Sequence, residues 1–160
     1  MKIRNDFVTN SSSTSYIFIS SGFRKILDYI KERDIFSHAT KHIVQLIERN
    51  GIDVLETVFD TEEEIKKYLE EEKNDYLEME KFYRELKMQV SASVYSEDYL
   101  KVITGEVQID TFDKVGFVIE VGDNEGEFLY DEVEWTASNE INYRGGLKHE
   151  GIFSFWRSNH

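Results

Sequence analysis

Thr61-Glu62-Glu63-Glu64 is the most constraining local signal in this 160-residue chain. It matches a capping box, in which the threonine oxygen accepts from the amide three residues on and Glu64 reaches back to the start of the helix. Three acids in a first turn also complement the positive end of the helix dipole. No glycine or proline follows before Lys87, so the pattern predicts one helix of roughly 40 Å at 1.5 Å per residue. Its apolar positions Ile65, Leu69, Tyr76, Met79, Tyr83 and Leu86 step by fours and threes if Glu72 is counted as a seam position. That is a heptad-like stripe broken by one acid. Tyr68, Leu77 and Phe82 add a second stripe beside it.

Beyond this helix the period changes to two. Met88, Val90, Ala92 and Val94 alternate with Gln89, Ser91, Ser93 and Tyr95, which reads as a half-buried strand. Ser96, followed by Glu97 and Asp98, reads as the cap of a short helix through Ile103 that Gly105 closes. Val115–Val121 is a strand, and Asp123-Asn124-Glu125-Gly126 is turn chemistry. Glu127–Trp135 reads as its hairpin partner, with a short helix as the competing reading. Ile152–Trp156 reads as a last strand.

Before the long helix, Met1–Val8 and Ser15–Ser20 read as two short strands around the polar run Asn10 to Ser13. Tyr16, Ile17, Phe18 and Ile19 are continuously apolar, as a fully buried strand is. Phe23, Ile26, Leu27 and Ile30 follow the spacing of one buried helix face. Ser37 reads as the cap of a second helix with Ile43, Leu46 and Ile47 inward, stopped at Asn50-Gly51. Helices cluster early and strands late, with a strand at the start. The expected fold class is therefore α+β: N-terminal strands and helices, one long acidic helix, then a mainly antiparallel sheet with helices on one face. The length suits one domain over residues 1–160, able to bury about 70% of its unfolded surface.

Charge is distributed unevenly. Residues 1–50 sum to +3 and residues 51–160 to −16, which together give the net −13. Between residues 105 and 140 eleven acids face the single base Lys114. Such a surface repels phosphates and favours basic partners, so direct nucleic-acid binding is not expected. No apolar run is long enough to span a bilayer, and the N-terminus lacks the order of a secretory signal. A cytoplasmic protein without membrane contact is the expectation.

The absence of cysteine removes disulfides, thiolate nucleophiles and zinc–cysteine sites. Placing Gly126 at the glycine of a calcium loop puts Val121 where the first oxygen ligand belongs, so a plain hairpin turn is preferred. His38 and His42 are four apart, but no glutamate lies between them in the zinc-protease arrangement. No nucleophile elbow surrounds any serine, and no phosphate-binding glycine motif occurs. Asp110, Glu120 and Glu134 are the carboxylates a metal-dependent nuclease would draw on. No catalytic set, cofactor or resident metal is expected from these patterns.

The opening Met1-Lys2-Ile3-Arg4, followed by Phe7-Val8-Thr9-Asn10-Ser11-Ser12-Ser13-Thr14-Ser15-Tyr16, resembles a shared N-terminus. Many uncharacterised proteins of phages and low-GC Gram-positive bacteria begin this way. The resemblance covers about the first 18 residues and implies a phage or mobile-element setting.

The preferred reading is a non-enzymatic acidic binding protein that engages a basic surface, such as a host nucleic-acid enzyme, by imitating nucleic acid. The acids expected to form that surface are Glu62, Glu63, Glu70, Glu71, Asp75 and Glu78 on the long helix, with Asp123, Glu125, Glu127, Asp131, Glu132 and Glu134 in the turn region. The alternatives are a metal-dependent nuclease or hydrolase built from scattered carboxylates, and a self-associating accessory protein. The last would dimerise through the 65–86 helix, using Leu69, Tyr76, Met79 and Tyr83.

Overall fold

Strand β1, Ser13–Ser20, lies at the centre of the sheet because both of its faces are apolar: Tyr16, Ile17, Phe18 and Ile19 are all buried. The computed structural model describes residues 13–33, 38–87, 94–122, 148–149 and 151–158. The chain forms helices α1 (Phe23–Arg33) and α2 (His38–Asn50), a 3-10 turn at Ile52–Val54 and strand β2 (Val58–Phe59). Helices α3 (Glu62–Glu85) and α4 (Glu97–Ile103) follow, then strands β3 (Val115–Gly122), β4 (Lys148–His149) and β5 (Ile152–Ser158). The sheet order is β2-β3-β1-β5-β4, and every described pairing is antiparallel. The α+β class expected from the sequence is the class observed.

Alternation along β1 sorts the core into two halves. Tyr16 and Phe18 join Phe117, Ile119, Ile152 and Trp156 beneath α1 and α2. Ile17 and Ile19 join Phe59, Phe153 and Phe155 beneath α3 and α4, which contribute Ile65, Tyr99 and Ile103. The helices therefore cover both faces of the sheet, not one face as the order of elements suggests. The cause is visible in β5, where Ile152, Phe153, Phe155 and Trp156 are all buried, so neither face could be left to water.

Gly116 is dictated by the register. It pairs with Ile19, and a Cβ placed on it would lie 2.2 Å from the Phe18 carbonyl oxygen. Gly51 takes φ 89° and donates its amide to the Ile47 carbonyl at 2.8 Å, ending α2 as expected.

Other expectations need correction. In α2 the buried residues are Val44 and Ile47, with Leu46 half-buried; the Ser37 cap and the Ile43 side chain lie outside the described residues. Ser96 begins α4 without a side-chain cap, because its Oγ accepts from the Trp156 amide at 3.2 Å and so ties α4 to β5. Leu77 and Phe82 are exposed, so only Tyr68 of the second α3 stripe packs inward. Of the expected strand from Met88 to Val94, residues 88–93 lie outside the described residues. Val94 accepts from the Ser158 amide at 2.7 Å, and Tyr95 bridges Arg157. Met1–Val8 and Glu127–Trp135 also fall outside.

Candidate functional site

α3 starts where the capping box places it. Thr61 is extended, its Oγ1 accepts from the Glu64 amide at 3.3 Å, and its hydroxyl sits 3.5 Å from the Glu64 carboxylate. At 100° per residue the helix then presents three surfaces to three environments.

The inward surface carries Ile65, with Tyr68, Leu69, Tyr76 and Met79 half-buried on the core. Glu72, the acid that interrupts the stripe, is buried among them at 4% exposure. Arg157 on β5 compensates it: Nη1 donates to the Glu72 carboxylate and, at 3.2 Å, to Asp75 Oδ2. The guanidinium also stands 5.6 Å from the Tyr95 ring centroid, a cation–π position. Burial is the strongest single influence on Arg157 and acts against its charge, yet Glu72, Tyr95 and Asp75 together outweigh it and keep the guanidinium's pKa raised. Burial, then Glu72, pushes the Tyr68 and Tyr99 phenols up, and burial pushes Tyr95 up to about 12. The Tyr95 and Tyr99 hydroxyls and the Arg157 Nε find no hydrogen-bond partner among the described residues. One guanidinium between two carboxylates, with Glu72 buried and Asp75 at the edge, suits holding α3 on the sheet.

The second surface is acidic and outward. Glu64, Glu71, Glu78 and Glu85 recur every seven residues, about 10.5 Å apart along the axis, and all four are exposed. None of the four makes a salt bridge among the described residues. Glu64 and Glu71 also line a shallow groove of about 280 Å³ against β2, together with Glu56, Lys67 and Tyr68. The third surface carries Lys66, Lys73 and Arg84 toward the opposite flank. Lys66 meets Glu62 at 3.8 Å and Arg84 meets Glu80 at 2.5 Å.

Of the acids anticipated on α3, Glu63, Glu70, Glu71 and Glu78 are exposed. Glu62 is half-buried beside Lys66, and Asp75 is engaged by Arg157. Asp123, Glu125, Glu127, Asp131, Glu132 and Glu134 lie outside the described residues. The bases of the first fifty residues do not neutralise α3 among the described residues. Arg24 pairs with Asp28 on its own helix, and Arg24 and Lys31 both reach Glu48 on α2. Glu64 and Glu85 extend the acidic row beyond the anticipated set, and a seven-residue count would have found them. Glu72 carried its own signal, an acid at an apolar seam position, but its partner 85 residues away did not.

For the carboxylate alternative, Asp110 is 3.9 Å from Lys114 and accepts from the Phe112 amide at 2.9 Å. Glu120 is exposed on β3, and Glu134 lies outside the described residues. Among the described residues no three His, Asp or Glu side chains gather as a metal site. His38 and His42 both fall in α2, with side chains outside the described set. The stripe invoked for self-association is largely taken up by the chain's own core, leaving Leu77, Phe82 and Leu86 exposed. Among the described residues no helix is long and apolar enough to cross a membrane.

Comparison with protein-family models, with curated proteins and with solved structures finds no match in any of the three.

Proposed function

We propose that this chain is a non-enzymatic binding protein whose acidic α3 row engages a basic protein surface in the cytoplasm. The observation that carries this reading is the set Glu64, Glu71, Glu78 and Glu85: exposed, evenly spaced and without salt bridges among the described residues, on one continuous helix. Carboxylates spaced by one helix meet a cationic groove at a lower ordering cost than the same groups on an unstructured chain. Long-range attraction from a −13 molecule also speeds encounter with cationic partners. The N-terminal resemblance to phage and mobile-element proteins suggests a host nucleic-acid-binding protein as target, with the acids standing where phosphates would.

The test compares the intact protein with a variant carrying Glu64→Gln, Glu71→Gln, Glu78→Gln and Glu85→Gln, both immobilised and exposed to bacterial lysate. The intact protein is expected to retain basic nucleic-acid-binding proteins and release them as salt rises, because screening shortens the reach of exposed charge. The folded variant should retain few of them. Retention of no basic protein, or retention unaffected by salt and by the four substitutions, would overturn the proposal.

A further inference from the structure

A second groove lies on the other flank of α3. It measures about 470 Å³ and runs between α3 and the segment that follows α4. That volume falls in the range typical of small-molecule sites. Its floor is apolar: Leu69, Val102 and Ile109 pack on the core while keeping part of their surface in the groove, beside Ile103. Its rim carries Lys66 and Lys73, seven residues and therefore about 10.5 Å apart, with Glu70 between them.

The charges on this rim run against the rest of the molecule. In a chain of net −13, two ammonium groups here stand over apolar surface. Lys66 is shared with Glu62 at 3.8 Å, whereas Lys73 makes no salt bridge among the described residues. An apolar body would displace water from Leu69, Val102, Ile103 and Ile109, and a terminal anion would meet Lys73. A cation would have only Glu70 to meet and would face both lysines.

We propose that this groove binds a small amphipathic anion, an aliphatic carboxylate with its chain on the apolar floor and its headgroup at Lys73. The site is separate from the acidic row and does not rest on the function proposed above.

Titration of the full chain with octanoate, followed by two-dimensional amide NMR, tests this. Saturable shifts are expected at Leu69, Ile103 and Ile109. Lys73→Gln should weaken octanoate about three- to fivefold, the size of one exposed ion pair. Glu70→Gln should tighten it by a similar factor, since the competing carboxylate is gone. Octylammonium should bind more weakly than octanoate. The proposal is overturned by shifts that do not saturate at millimolar octanoate, by shifts centred elsewhere, by a Lys73→Gln affinity equal to that of the parent, or by octylammonium binding as tightly. Both substitutions lie on an exposed helix face, so the folded state can be confirmed by circular dichroism.

Discussion

Arg157, near the end of the last strand, closes on the carboxylate of Glu72, midway along α3 and 85 residues earlier in the chain. One helix face and one sheet face are thereby tied by opposite charges under a lid of tyrosines. Glu72 alone in that position would be an isolated buried carboxylate, and Arg157 alone would lose the partner that offsets its burial.

Removing one partner should therefore cost more than removing both. Glu72→Ala is expected to destabilise by about 3 kcal/mol, reduced from the deepest cases because the Arg157 side chain keeps 21% exposure. The double variant Glu72→Leu, Arg157→Met completes the apolar stripe and should lie within about 1 kcal/mol of the parent. Urea unfolding of the two singles and the double gives the coupling directly. Additive losses would show that the pair is not the tie described.

Gly116→Ala should be among the most damaging single substitutions. Its Cβ would fall 2.2 Å from a backbone oxygen of β1, which cannot swing aside as a side chain can. The two central strands would have to part, at a cost of about 3 kcal/mol or more. Alanine at Gly22, where nothing lies within 4 Å, is the control and should be nearly neutral. A small effect at both positions would refute the register.

Alkaline pH should loosen the fold through the tyrosines. Burial raises Tyr95 from 10.0 to about 12, and Tyr68 and Tyr99 are also raised. The unfolded chain gives up these protons first, so their contribution is complete below pH 10 and is lost as pH climbs toward 12. Stability measured at pH 9, 10 and 11 should fall, and Tyr95→Phe should flatten that fall. An identical slope in the variant would mean that Tyr95 holds its proton no better in the folded chain than in the unfolded one.

The two ends of α3 should respond oppositely to the same kind of change. Ile65 is fully buried, and Ile65→Ala is expected to cost about 3 kcal/mol. Leu86 is 53% exposed, and Leu86→Gln should stay within about 0.5 kcal/mol. Thermal unfolding of both variants checks it; equal losses would mean that the distal turns are packed as firmly as the first.

Much of this was legible beforehand where the rule is local. Thr61 caps Glu64 three residues on, and Ile26, Leu27 and Ile30 face the core at the spacing that marks a helix. The four continuous apolar residues of β1 are its most buried stretch. Reading failed where a residue had a distant use for the same atoms. Ser96 looked like a cap, yet its hydroxyl accepts from Trp156 on a strand 60 residues later. Leu77 and Phe82 fit an apolar stripe, but the sheet beneath α3 reaches only part of its girth.

By itself the sequence determined where α3 begins, that the runs of β1, β3 and β5 are strands and that residues 51–160 are strongly acidic, since caps, periodicity and charge act within a few residues or need no geometry. Tertiary structure alone decided that helices lie on both sheet faces, that Glu72 is met by Arg157, and that a basic-rimmed groove flanks an acidic row. Each of these depends on which strand lies beside which. That choice is made by burying both faces of β1 and β5 together, across separations no local pattern spans.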